Sequence, residues 1–467
     1  MLDETVLHPR FIRERIEKGS SMSKSLSHII SAAIAALLFA TSAGAQLLPG
    51  VSLPPLGAPL PGPIGNVPVV GPVVEQVLGT REAQQAIRPN LNNVAGLPRS
   101  IAEAGAPTLL ELRRLRLQQL IRENRNLLEA DERGQPIRRG VVVVVDPDPV
   151  SLQLAGRAGF RLLGVMRSAE LGMRVVQLNV PAGMSAQTGL RLIQRLAPRL
   201  VADFDHVFEP AGGSLAPLHA SLAASSASAR GRVVGMIDGG VAGHPSLAGA
   251  SIEQNGFAGT PQPTGHGTAI ASLLVGRQGP FSGAAPGAQL YVADVYGGSS
   301  AAGSATSIVK ALGWLVGKRP QVINVSLVGP ANSVVARAIQ RVQARGINIV
   351  AAVGNDGPAA PPQYPASYAG VIAVTGVDAR GRALPEAGRA NHLDFAAPGA
   401  DMAAALPGKG YARVRGTSFA APLAAGRLLM TGSAAGLARE ARPGRGRVGR
   451  GIVCGDCRIE PRKVGAR

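Results

Sequence analysis

Apolar residues recur along this chain in two rhythms, and the change from one to the other falls near residue 211. Before it, short apolar runs alternate with amphipathic ones. VVVVVD (141–146), FRLLGVMRS, MRVVQLNVP and LVADFDHVFEP read as strands, while SLQLAGRAGF and SAQTGLRLIQRLA carry leucine and isoleucine at helical spacing. The order βαββαβ over residues 141–210 predicts a small α+β domain of the split-βαβ (ferredoxin-like) kind. Ahead of it, leucines at helical spacing among Arg, Gln and Glu predict an amphipathic helix over residues 108–132. Beyond Arg232 the strands become almost wholly apolar: VVGMID, LYVADV, VINVSL, INIVAAV and VIAVTGV, separated by helical stretches such as HGTAIASLLVG and SVVARAIQRVQARG. A strand apolar on both faces is covered on both. Residues 232–430 are therefore predicted to form an α/β domain around a doubly wound, mainly parallel sheet. In such sheets the chemistry gathers where strands end and helices begin.

The joining segments differ in composition. Residues 46–107 are rich in Pro and Gly and read as a spacer, and the Ala/Ser/Gly stretch 211–231 reads as an exposed, cleavable linker. Residues 431–467 form a Gly/Arg-rich tail that reads as loop and holds the two cysteines, Cys454 and Cys457. Those two lack further ligands for zinc, so a local disulfide or free thiols are expected. Within residues 1–45 a lysine, an apolar run and small residues at Ala43 and Ala45 match an export signal, with Met22 as an alternative start. Export to the periplasm or outside the cell follows, with a membrane anchor only if that segment stays uncleaved.

Composition changes this picture little. With 60 glycines and only 3% aromatic residues, the core must be packed from small aliphatic side chains. The net charge of +19 is concentrated in residues 111–125 and 438–451, a distribution that suits a solvated helix face and a basic tail better than a nucleic-acid surface. No nucleic-acid partner is expected.

Four polar residues stand at the predicted strand ends and helix starts. Asp238 closes VVGMID; alone, it either orients an imidazole or caps a turn. His266 is framed by glycines where HGTAIASLL begins, a place from which an imidazole can reach both an acid and a hydroxyl. Asn355, in AAVGNDGP, either donates to a developing oxyanion or merely shapes a turn. Ser418 opens the small-residue helix GTSFAAPLAAG, as a nucleophile or as an ordinary cap.

Together, MIDGGV, GHGTAIAS, VINVSL, AVGNDG, AAPG and GTSFAAPLAAG make residues 232–430 resemble the subtilisin-like serine proteases, the subtilase family, in which acid, base and nucleophile follow in this order. The resemblance implies Asp238 as orienting acid, His266 as general base, Ser418 as nucleophile and Asn355 as oxyanion donor. It makes Ser326, Leu327, Val328 and Gly329 the edge that pairs with an extended peptide substrate, and Ala351, Ala352, Val353 and Gly354 the lining of an open, apolar pocket for the side chain before the cut. It also implies that residues 141–210 are a propeptide, partner of its own enzyme as folding aid and inhibitor, with self-cleavage inside 211–231. The expected product is a secreted serine endopeptidase made as a zymogen.

Some positions depart from the family pattern. Gly239 stands where Thr or Ser is usual after the acid, and Ala269 and Leu423 replace common histidines. Residues 275–290 are shorter than the family's calcium loop and carry no carboxylate or Asn, so no metal is expected there and no cofactor is implied. After Met430 the resemblance fades. That leaves two other readings, a pseudoprotease that binds peptides without turnover and a basic surface-binding protein.

Overall fold

The computed structural model describes residues 97–465 apart from 213, 219–227 and 409. The proposed signal and most of the spacer lie outside the described residues. Chain order begins with helix α1 (Leu97–Glu123), which takes in residues 97–107 of the predicted spacer and stops well short of residue 132. Asn124 ends it by turning its side-chain amide back onto the Leu120 carbonyl. The following strand β1 (Leu128–Ala130) falls inside the span predicted to be helical, because wholly buried Leu128 joins the edge of a sheet instead.

The small domain then follows its predicted order: β2 (Pro136–Val145), α2 (Pro149–Arg157), β3 (Arg161–Ser168), β4 (Met173–Asn179), α3 (Ala186–Leu196) and β5 (Val201–His206). Its antiparallel sheet runs β5-β2-β4-β3. Asp148 and Ser185 cap α2 and α3 by accepting the amides of Ser151 and Thr188. The five consecutive valines of β2 now have a physical reason. Val142 and Val144 pack with Ala155 and Ile193 beneath the domain's own helices, whereas Val141, Val143 and Val145 face away and enter the core of the large domain. Strand β2 is thus buried on both faces over its valines, each covered side chain contributing roughly 1.5–3 kcal/mol.

Two short strands lead out of the small domain, β6 (Glu209–Pro210) and β7 (Ser214–Leu218). The large domain follows with β8 (Val233–Asp238), β9 (Ile252–Gly256), α4 (Gly265–Val275), the hairpin β10 (Arg277–Gln278) and β11 (Phe281–Ser282), β12 (Gln289–Asp294) and α5 (Ala305–Gly317). Next come β13 (Val322–Val325), β14 (Leu327–Val328), α6 (Ser333–Gln343), β15 (Asn348–Ala352), β16 (Ile372–Val377), β17 (Phe395–Pro398), β18 (Met402–Ala405), β19 (Tyr411–Arg415), α7 (Thr417–Thr431) and α8 (Ala434–Glu440). Seven strands form one sheet in the order β17-β16-β15-β13-β8-β12-β9, with every neighbour parallel. This is the doubly wound α/β sheet. Helices α4 and α7 pack on one face and α5 and α6 on the other, so Val234 and Met236 point one way and Ile237 the other.

The small domain sits over α5 and α6. Its strand β5 meets their N-termini with carboxylates: Asp205 accepts from the Thr306 amide (2.9 Å) and Asp203 from the Ser333 amide (2.7 Å). Asn332, which caps α6, also donates to the Phe204 carbonyl (2.9 Å). Exposed helix-start amides carry partial positive charge, so the two aspartates fix the docking as well as the caps.

The tail corrects the expectation of plain loop. Residues 434–440 form α8, Cys454 and Cys457 are joined in a disulfide, and the chain between them returns to the sheet, where the Val453 amide bonds the Ala396 carbonyl (2.8 Å). Sparse apolar residues, Leu437, Val453 and Val464 among them, are buried while the arginines from 439 to 450 are exposed. No helix among the described residues is long and apolar enough to cross a membrane.

Candidate active site

Parallel strands deliver the polar residues to one end of the sheet. Asp238 is the last residue of β8 and His266 the second of α4; both are about 98–99% buried, and His266 Nδ1 lies 2.9 Å from Asp238 Oδ1. Thr264 caps α4 by accepting the Gly267 amide (2.9 Å). Two glycines make the approach possible. A Cβ on Gly267 would stand 2.4 Å from the Gly239 carbonyl oxygen, and one on Gly239 would stand 2.6 Å from Thr264 Oγ1. Gly239 therefore departs from the usual Thr or Ser because Thr264 already fills that space. Ala269 and Leu423 are wholly buried in the core that α4 and α7 share.

Ser418 is the second residue of α7, after Gly416 with φ 143°. Pro422, four residues on, has no N–H for the Ser418 carbonyl. Ser326 Oγ donates to that carbonyl instead (3.0 Å), tying the helix start to the end of β13. Asn355 is held from behind, its Oδ1 accepting the Thr417 amide (2.9 Å), which aims its Nδ2 into the cleft.

The cleft is filled by the chain itself. β6 pairs antiparallel with β14, setting Glu209 opposite Val328 and Pro210 opposite Leu327, and the Ala211 amide donates to the Ser326 carbonyl (2.8 Å). Phe208 is wholly buried against Gly329, where a Cβ would stand 2.4 Å from its ring. Asn355 Nδ2 donates to the carbonyls of Ala211 (2.5 Å) and Gly212 (2.9 Å), and Ser418 Oγ donates to that of Gly212 (2.6 Å). Further on, β7 pairs antiparallel with β19. Strands β6 and β7 are thus each antiparallel to one edge of the cleft, and between them Gly212 takes φ 74°. Residues 211 and 212, predicted to begin an exposed linker, are instead inside the cleft; 219–227 lie outside the described residues.

Asp238, His266, Asn355 and Ser418 are brought together at this cleft, as are Ser326, Leu327, Val328 and Gly329. The hydroxyl of Ser418 points to Gly212 rather than to His266, and His266 Nε2 is buried without a hydrogen-bond partner among the described residues. The pocket expectation needs correction. Ala352 shares the core face on which Ala211 is buried, but the side chains of Ala351 and Val353 belong to the opposite face, since strand residues alternate. Gly354 takes part through its carbonyl, which accepts from Thr417 Oγ1 (3.1 Å).

Sequence reasoning missed one constellation. Arg113 and Arg116 of α1, expected on a solvated face, are turned inward: Arg113 Nε bonds Asp356 Oδ2 (2.9 Å), while Arg116 reaches both Asp356 and Glu209. Their i, i+3 spacing was the available signal, because it places both guanidinium groups on one helix face.

Comparisons with known proteins bear on the family and the fold. The sequence model of the subtilase family matches residues 229–440. Subtilisin Savinase of Lederbergia lenta is 36% identical over 199 residues, covering 41% of this chain and 73% of that protein. An alkaline protease of Alkalihalobacillus alcalophilus is also 36% identical over 199 residues, and there the match spans about half of the relative, 52%. Among solved structures, fervidolysin from Fervidobacterium pennivorans, a keratinolytic enzyme related to subtilisin, aligns with a TM-score of 0.59 and 19% identity over 71% of this chain and 62% of that one, a likeness of fold.

Proposed function

The chain belongs to the subtilase family, and from that premise we propose that it is an exported serine endopeptidase, made as a zymogen that cuts itself after Ala211. The observation that carries this reading is the Asn355 amide 2.5 Å from the Ala211 carbonyl oxygen, with Ser418 beside it. Pairing with β14 ends at the Ala211 amide, whose side chain is buried in the cleft, so Gly212 begins the departing side.

In this reading Ser418 Oγ turns from the Gly212 carbonyl toward His266 Nε2, gives up its proton there and attacks the Ala211 carbonyl carbon. Asp238 holds Nδ1 and steadies the imidazolium that forms. Negative charge moves onto the Ala211 oxygen, where Asn355 Nδ2 and the Ser418 amide at the start of α7 receive it. His266 returns the proton to the Gly212 nitrogen as the bond breaks, and water releases the acyl group by the same steps in reverse. Residues up to Ala211 then remain as a separate chain whose last strand still fills the substrate edge. Protein and peptide substrates would follow by adding the same strand. Export rests on the signal-like pattern of residues 22–45.

The test compares the full chain with Ser418→Ala, using a fluorophosphonate probe and N-terminal sequencing. Expected is Ser418-dependent labelling together with a new terminus at Gly212. A folded protein that neither labels nor shortens would refute the protease reading; a new terminus elsewhere would refute the cut after Ala211.

A further inference from the structure

Beside the cleft, a small group of charges joins three parts of the chain, and self-cleavage would separate two of them from the third. Arg116 Nε and Nη2 lie 3.2 and 3.3 Å from the two oxygens of Glu209, and the same Nη2 lies 3.0 Å from Asp356 Oδ1. Arg113 Nε holds the other Asp356 oxygen at 2.9 Å. Asp356 is about nine-tenths buried, and it follows directly on Asn355. Its position is fixed by its own domain, through the Thr417 bond to Asn355 and the bond from the Gly357 amide to the Glu386 carbonyl (2.9 Å). The nearby Glu386 side chain has its own partner in Arg415 (2.8 Å).

Once the bond after Ala211 is cut and the severed segment is withdrawn from the cleft, Arg113, Arg116 and Glu209 all leave together. Asp356 stays in place and loses both guanidinium partners, which leaves a carboxylate at the substrate edge without its ion pairs. Glu209 is the third residue before the cut, and its carboxylate shares one guanidinium nitrogen with Asp356. A side chain at that position of any substrate in the same register ends beside Asp356.

Resting on the protease reading above, we propose that Asp356 makes the enzyme select a basic residue at the third position before the cut, a place that Arg116 fills in the precursor. Lysine or arginine there replaces the lost guanidinium and satisfies Asp356 with a charge-assisted hydrogen bond. Glutamate there, as in the chain's own Glu209, is set against a like charge. The chain's own sequence is tolerated at this position because Arg116 comes with it, and it becomes a poor occupant wherever Arg116 is withdrawn.

The experiment uses the full chain after maturation and three peptides identical except for Arg, Ala or Glu at the third position. Expected is a kcat/KM for Arg over Glu of about tenfold or more, with most of that ratio lost in Asp356→Asn and in 1 M salt. A ratio near one in the wild type, or one that Asp356→Asn leaves unchanged, overturns the inference. Should Asp356→Asn fail to fold, salt decides: a preference that survives 1 M salt is not this ion pair. Loss of Ser418-dependent cleavage of the Ala peptide would instead refute the protease reading itself, and this inference with it.

Discussion

At the scale of single residues, the site depends as much on absent atoms as on reactive ones. Asp238, His266, Asn355 and Ser418 were legible because each stands where an apolar run stops, and because glycine or small residues surround it. The reason Ser326 matters was not legible, since it lies in the bond its hydroxyl makes to a carbonyl that Pro422 leaves without an N–H. Gly329 is a further case. A methyl group there would overlap the buried Phe208 ring, which belongs to the segment before the cut. Gly329→Ala is therefore expected to weaken docking of residues 97–211 by roughly 1–3 kcal/mol, the usual cost of overpacking, while the large domain keeps its fold. Inhibition of the matured enzyme by its released prosegment would check this; an unchanged inhibition constant would mean that the Phe208 pocket has slack. Arg113 and Arg116 were read as solvated because charge on a helix usually is, and only the approach of Asp356 and Glu209 gives them reason to turn inward.

Among elements, those with strong periodicity were placed correctly and those held by partners were not. The βαββαβ order could be seen in alternating valines and in leucines at helical spacing. Helix α1 was misplaced at both ends, because its N-terminal part lacks the leucine pattern and its C-terminal part yields Leu128 to a strand. Strand β5 carries the next prediction. Burial pushes the Asp205 carboxyl above its ordinary value of 3.8, although the Thr306 amide and Gln177 pull it the other way. The folded, docked form then holds this proton more tightly than the unfolded chain does. Its contribution to stability is full below pH 3.8 and falls as pH rises through the shifted value. Asp131 and Asp378 act in the opposite sense, held below the ordinary value by hydrogen bonds that outweigh burial. A difference measurement isolates Asp205. In urea titrations of the uncut Ser418→Ala protein, adding Asp205→Asn is expected to remove part of the loss of stability above about pH 4. Parallel curves for the two proteins would mean that Asp205 does not titrate in this window.

For the whole molecule, closure depends on a tail that was expected to be plain loop. Residues 441–465 return to β17 and bury Val453 and Val464, each contributing on the order of 1.5–3 kcal/mol. Removing residues 441–467 from the Ser418→Ala protein is expected to lower the thermal midpoint by several degrees, and an unchanged melting curve would show the tail to be an ornament. The sequence by itself determined the two-domain plan, the parallel sheet and the four residues at its end, because apolar periodicity and glycine-framed polar residues are local consequences of burial and backbone geometry. Tertiary structure alone decided which face of the valine strand meets which domain, that residues 209–212 lie in the cleft, and that two arginines some 240 positions away hold Asp356. Those facts are pairings between distant segments. A pairing energy depends on both partners being brought within a few ångströms, and no property of either segment alone carries it.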